Sequence, residues 1–274
     1  MSLTLKTEPV DAVARALGDV YRRLTDVCEA LTVRIAEPGK VGRGVTAAEL
    51  AADRDALDAF VEASAVRIRD RYGVQVRPDV AASRALHDYA WTIGVLMGGP
   101  WYLERRVPRI HPEDLRLDLA SATYTITPGT SLACLPDDSL AARPDVLTLP
   151  QEGLLCAQLR MAVADHMRPL LAAIAPVARR RSRALWGMVG DDLVSGIWYM
   201  GRMLGEEAKA VSAATEVLPV AVPPYPDGAS FRELEGGHPT RTRTGCCMFY
   251  AIRPQEACVT CPRTGDTERL RRLS

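Results

Sequence analysis

Four cysteines crowd the C-terminal end of the chain: Cys246 and Cys247 are adjacent, and ten residues later come Cys258 and Cys261. Clustered thiols of this kind bind metal or do redox chemistry, and either role ties the segment into a tight structure. Cys258-Val259-Thr260-Cys261 has the two-residue bite that lets both sulfurs reach one metal from a turn. Cys246 and Cys247 differ. In an extended segment neighbouring side chains point to opposite faces, so these two sulfurs diverge. Divergence suits a site with more than one metal centre better than a single tetrahedral ion. A 2Fe-2S cluster takes four thiolates, two per iron, and the segment supplies that number with none left over. Two other readings stay open on spacing alone. A structural zinc usually uses two two-residue bites, and here there is one. A dithiol redox centre at Cys258 and Cys261 lacks a thioredoxin-like strand–turn–helix around it. The spacing matches neither the bacterial nor the plant-type ferredoxin pattern.

The remaining composition narrows the setting. The chain has seven cysteines, an odd count. Met1 to Pro9 has one lysine and no apolar core, so it is not a secretory signal. No apolar run reaches the roughly 20 residues that a membrane span needs. Trp91 to Leu103 is broken by Gly98, Gly99 and Pro100, and Leu170 to Ala178 by Pro176. A cytoplasmic protein is expected, at most peripheral to a membrane, and a disulfide framework is not. Cys28, Cys134 and Cys156 lie in apolar contexts and read as buried core residues. The 34 basic and 34 acidic side chains cancel, which argues against generic nucleic-acid binding. Lysine is confined to Lys6, Lys40 and Lys209, and the excess of arginine is attributed mainly to overall composition.

Periodicity predicts a mainly helical α+β protein with a small central antiparallel sheet. Val13, Leu17, Val20, Leu24, Val27 and Leu31 share one helical face, with Pro38-Gly39 ending that helix. Thr46 and Glu49 form a capping-box pattern before a second helix carrying Leu50, Leu57 and Phe60. Asp79 opens a third, which runs to the Gly98-Gly99-Pro100 break. Leu115, Leu117 and Leu119 alternate with polar residues as a half-buried strand does. Ala122 to Thr127 continues as strand, Leu132 to Leu135 pairs back on it, and Val146 to Leu149 is a further strand. A helix from Gln151 kinks at Pro169 and ends near Pro176. Ser182 caps the next, whose stripe of Leu185, Val189, Leu193, Ile197, Met200 and Leu204 is interrupted by glycines that permit close packing. Pro219, Pro223, Pro224 and Pro226 mark residues 218–228 as a linker. The expected organisation is a body over 1–217 holding the substrate pocket, the linker, and a cluster-binding segment over 229–274.

With C-C-x10-C-x-x-C at the extreme C-terminus, an aromatic just after the first pair and Pro262-Arg263 after the last, the segment resembles the FhuF-type ferric-siderophore reductases. Ser182-Arg183-Ala184-Leu185-Trp186-Gly187, opening the glycine-containing helix, is similar to that family too, whereas the N-terminal half offers no motif to anchor. The resemblance implies that Cys246, Cys247, Cys258 and Cys261 hold a 2Fe-2S cluster. It implies reduction of iron(III) in a hydroxamate-type siderophore in the bacterial cytosol. It also points to Trp186, and less directly to Arg253, as substrate-binding residues.

The chemistry is coherent without the name. One electron turns iron(III), held by hard oxygen donors, into a larger ion of lower charge, and the chelate weakens. The chain shows no flavin or nucleotide fingerprint. Gly39-Lys40-Val41-Gly42-Arg43-Gly44 is glycine-rich but is not G-x-G-x-x-G. The electron must come from a partner such as a ferredoxin or flavodoxin. Arg241, Arg243, Arg253, Arg263, Arg269, Arg271 and Arg272 surround the cysteines in sequence, either tuning the site and steering an acidic donor or forming a solvated basic tail. Of the large aromatics, Trp101, Trp186 and Trp198 are expected mainly in the core, and the four histidines show no metal-ligand spacing. Two further functions stand beside the reductase: an iron–sulfur sensor or carrier without turnover, and a relative of siderophore-biosynthesis enzymes with a structural zinc.

Overall fold

The computed structural model describes residues 12–37 and 42–273. The expected helix stop at Pro38-Gly39, the N-terminal segment with Lys6, and Lys40 lie outside these residues. The first helix, α1 (Ala12–Val27), buries Val13, Leu17, Val20 and Leu24 completely. It stops at Val27, and the buried Leu31 follows in a turn before β1 (Val33–Ile35) rather than on the helix. After β2 (Val45–Thr46) the Thr46 hydroxyl accepts the Glu49 N–H at 3.1 Å and the Thr46 N–H donates to the Glu49 carboxylate at 2.6 Å. This capping box opens α2 (Ala47–Ala52). The expected second helix is two, because Asp53 ends α2 and caps α3 (Arg54–Tyr72) by accepting the Asp55 N–H at 2.9 Å.

The next helix, α4 (Pro78–Glu104), starts with Pro78 in its first turn, where the missing N–H costs nothing. Asp79 therefore lies inside the helix. The expected break at Gly98-Gly99-Pro100 does not occur. Gly99 faces Leu24 of α1, and Gly98 faces Ile197 and Leu193 further along the chain, so packing on both sides overrides weak helix propensity. Two-residue β3 (Val107–Pro108) follows, then β4 (Leu115–Asp118), β5 (Thr123–Ile126), β6 (Leu132–Cys134) and β7 (Val146–Thr148). One sheet has the order β1-β5-β4-β2 and another β3-β6-β7. The sheets are mixed rather than purely antiparallel: β1 runs parallel to β5 and β6 parallel to β7. The expected pairing of β6 back on β5 fails because both edges of β5 are taken, by β1 (Val33 opposite Tyr124) and by β4.

The long helix α5 (Glu152–Ala178) is continuous through Pro169 and Pro176. In α6 (Ser182–Met203) the cap position is Arg181, and Ser182 is the first helical residue without a capping bond. After α7 (Glu207–Val217) the proline-rich stretch packs on the body. Its Tyr225 is 2% exposed and donates its hydroxyl to the Arg160 carbonyl at 2.8 Å. The hairpin β8 (Phe231–Glu233) and β9 (Pro239–Arg241) leads into the cysteine segment, which contains two short 3-10 turns and ends in α8 (Asp266–Leu273). The class is α+β and predominantly helical, with α4 and α6 at its centre. These helices cross so closely that a Cβ on Gly94 would lie 3.0 Å from the Asp192 carbonyl oxygen. No described helix is long and apolar enough to cross a membrane.

Cys28, Cys134 and Cys156 are buried, as expected, and burial pushes each thiol up to about 11. His166 of α5 is also buried. Its Nδ1 lies 2.9 Å from the Ile110 carbonyl, which only accepts, so Nδ1 carries the proton and Nε2 accepts the Tyr89 hydroxyl at 2.7 Å. Burial lowers its pKa from 6.5 to about 4. Below about pH 6.5 the unfolded chain binds a proton that the folded chain refuses, so stability falls as pH drops toward about 4, by about 3 kcal/mol in all. Urea unfolding of His166→Gln against the parent should show that acid-side loss largely removed. An unchanged pH profile would overturn this assignment.

Candidate metal centre

The cysteine segment is held by a buried charge cluster that begins on α6. Asp191 and Asp192 are neighbours in an otherwise apolar stretch, 2% and 0% exposed. Arg241 and Arg243 stand two residues apart on extended chain, which places both on one side. Arg241 binds the Asp191 carboxylate at 2.5 Å, the Asp191 carbonyl at 3.2 Å and the Ala229 carbonyl at 2.8 Å. Arg243 binds the Asp192 carboxylate, whose other contact is His87 of α4 at 2.8 Å. Burial opposes ionisation of Asp192, yet the Arg243 and His87 neighbours hold its carboxyl below the usual range. The Gly245 N–H donates to the second Asp191 oxygen at 2.6 Å. Only glycine fits there: a Cβ would lie 2.5 Å from the Met188 backbone nitrogen.

The two halves of the cysteine motif are joined by the Arg243 N–H, which donates to the Thr260 carbonyl at 2.9 Å. In the second half the Cys261 N–H donates to the Cys258 carbonyl at 2.9 Å, forming the turn that the two-residue bite requires. Thr264 closes it from below, its hydroxyl donating to the same carbonyl at 3.0 Å. Arg269 of α8, 1% exposed, donates to the Cys261 carbonyl at 3.2 Å. In the first half the Met248 N–H points at the Cys246 sulfur at 3.4 Å.

All four cysteines line one small cavity with Arg243, Gly245, Phe249, Tyr250 and Pro262. The Cys258 thiol hydrogen-bonds Cys247, which holds Cys247 below its ordinary value and Cys258 above it. His87, Arg84 and Arg243 further favour the Cys247 thiolate. Among the described residues no three Cys, His, Asp or Glu side chains are arranged around a single metal ion. A two-iron cluster divides its ligands between two centres and does not ask for that convergence. The Nε atoms of Arg243 and Arg269 are buried without a hydrogen-bond partner, and both guanidinium groups lie within electrostatic reach of Cys258. Two buried guanidinium groups within electrostatic reach of the thiols fit an anionic iron–sulfur centre.

The arginines expected around the cysteines divide in two. Arg241, Arg243 and Arg269 are buried structural donors. Arg253, Arg263, Arg271 and Arg272 lie further out, with Arg253 paired to Glu256, Arg263 over the Tyr250 ring, and Arg271 and Arg272 paired to Glu268. His238 is exposed in the hairpin turn.

A second cavity, of about 990 Å³, adjoins the first. Arg243 and Phe249 line both. Its other walls come from α3, α4, β4, β5 and α6, with Arg67, Arg84, Trp91, Tyr124 and Trp198 among them. Neither Trp186 nor Arg253 lines it. Trp186 is buried edge-on against Tyr225, as glycines of α6 bring the proline-rich stretch close, and Arg253 is exposed. Trp101 is fully buried in the core, whereas Trp198 does reach the cavity. Sequence reasoning missed His87, Arg84, Asp191 and Asp192. The two aspartates carried a signal, an acidic pair in the middle of an apolar helical stripe; the other two carried none.

The fold and site together define a helical α+β protein with a C-terminal iron–sulfur segment. Residues 243–263 match the family described as FhuF 2Fe-2S C-terminal domain, with all four cysteines inside the match and fitting its motif. The segment is thus a 2Fe-2S-binding domain, consistent with the FhuF-type family. No curated protein matches the chain.

Proposed function

We propose that the protein is a ferric-siderophore reductase, with Cys246, Cys247, Cys258 and Cys261 as the ligands of its 2Fe-2S cluster and the larger cavity as the chelate site. The carrying observation is the common wall: Arg243 and Phe249 face both the cysteines and the larger cavity. The cluster supplies a one-electron donor whose potential is set by its ligands, hydrogen bonds and exposure. The chain's own residues bind and orient the chelate and keep it one side-chain layer from the cysteines. The cavity lies at the upper end of the roughly 300–1,000 Å³ of small-molecule sites. The body over 1–217 supplies most of its walls and the segment over 229–274 the cysteines. The substrate implied by the resemblance is a hydroxamate chelate in the bacterial cytosol, and the electron comes from a ferredoxin or flavodoxin.

The test is anaerobic. Purified protein should be red-brown, with about two irons and two acid-labile sulfides per chain. After chemical reduction and mixing with a ferric hydroxamate, ferrous iron should appear in step with cluster oxidation. Cluster oxidation without ferrous product would favour a carrier or sensor, and colourless protein with stoichiometric zinc would sink the reading.

A further inference from the structure

The larger cavity is strongly biased in charge. Five arginines line it, Arg67, Arg71, Arg84, Arg202 and Arg243, against two aspartates, Asp70 and Asp88. Two of the five are neutralised by close carboxylates: Arg84 pairs with Asp88 at 2.7 Å, and Arg243 with Asp192. Asp70 is itself 3.5 Å from Arg69. The other three arginines supply the bias. Arg67 donates to the Leu119 carbonyl at 3.0 Å, a contact that leaves its charge in place. Arg71 lies over the Tyr72 ring at 5.4 Å. Arg202 makes a long, solvent-exposed ion pair with Glu207 at 3.9 Å, and Glu207 is outside the cavity lining. These three approach from α3 and α6 while aromatic walls at Tyr72, Trp91 and Trp198 supply apolar surface. Guanidinium forks beside aromatic faces recognise carboxylate and other anionic oxygens on a bulky, flat-sided ligand.

We infer that this cavity selects ferric chelates carrying net negative charge, through Arg67, Arg71 and Arg202. The inference rests on the assignment of the cavity as the chelate site. It concerns the charge of the whole chelate and not its donor atoms, so a hydroxamate bearing pendant carboxylates and a tris-catecholate both satisfy it, whereas a neutral tris-hydroxamate does not.

Gallium(III) chelates test it, since gallium occupies the same ligands without being reduced. Trp91 and Trp198 line the cavity, so quenching of tryptophan fluorescence reports binding to the full-length, cluster-loaded protein. Three probes are titrated: a neutral gallium tris-hydroxamate, the same scaffold with pendant carboxylates, and a gallium tris-catecholate. Both anionic probes should bind at least about tenfold more tightly than the neutral one at low salt, the worth of one charge-assisted contact. The gap should narrow at high salt. It should also narrow in Arg67→Gln and in Arg202→Gln, but not in Arg183→Gln, which removes an exposed arginine away from the cavity. Equal or tighter binding of the neutral probe overturns the inference, as does a preference for the catecholate alone. So does failure of every probe to quench. If the ferric counterparts of those probes still yield ferrous iron, the reductase reading survives that failure. Charge-selective binding without ferrous iron supports the inference and removes the reductase.

Discussion

Cys258→Ser is expected to remove the visible colour and the ferric-chelate reduction together, while chelate binding persists. Serine offers a hard hydroxyl in place of a soft thiolate, and iron–sulfur centres are held by thiolates. Loss of a ligand should cost more than the ~10–100-fold that loss of an outer-shell partner costs a metal site. Chelate binding should survive because Cys258 lines the cysteine cavity and not the larger one. The fold should survive as well, because the segment is seated by Arg241, Arg243 and Gly245 on Asp191 and Asp192, and by the backbone bond from Arg243 to Thr260. Iron and sulfide content, absorbance, gallium-chelate quenching and a thermal melt read the parts separately. Full iron and sulfide in the variant would overturn the ligand assignment. Wholesale unfolding would show that the metal site carries the structure of the segment.

Asp191→Ala should be the most damaging single change outside the cysteines. It leaves Arg241, 2% exposed, as an uncompensated buried charge and takes the acceptor away from the Gly245 N–H. Breaking a buried pair by removing one partner costs ~3–5 kcal/mol. For a chain of this size that corresponds to a fall in melting temperature of roughly 6–20 °C. Asp191→Asn, which keeps an acceptor for Gly245 but not the charge, should fall between the two. A melting temperature within 1–2 °C of the parent for the alanine variant would overturn the role given to this pair. Loss of cluster from a still-folded Asp191→Asn protein would locate the effect at the seat of the cysteines.

The cysteine motif was legible because its information is local: four thiols within one short segment announce their chemistry by spacing. Helical stripes such as that of α1 were legible for the same reason. What escaped is non-local. Helix α4 runs through Gly98-Gly99-Pro100 because Leu24 and Ile197, far away in sequence, pack on it. Strand β6 abandons β5 because β1, from the other end of the chain, already holds that edge. The large cavity draws on residues from Ala30 to Thr260, each of an ordinary type in its own neighbourhood. Trp186 stands out by its place in a motif, yet Gly190, just beyond that motif, brings Tyr225 against the helix, and Tyr225 packs edge-on to the indole. His87 meets Asp192 only because Gly94 lets α4 and α6 cross at close range.

The lock between Asp191, Asp192, Arg241 and Arg243 is made of protein alone and lies out of reach of salt screening. Iron is not among its parts. Removal of the prosthetic group therefore leaves the seat of the cysteine segment in place. On that footing a lost cluster calls for refilling rather than for resynthesis of the chain.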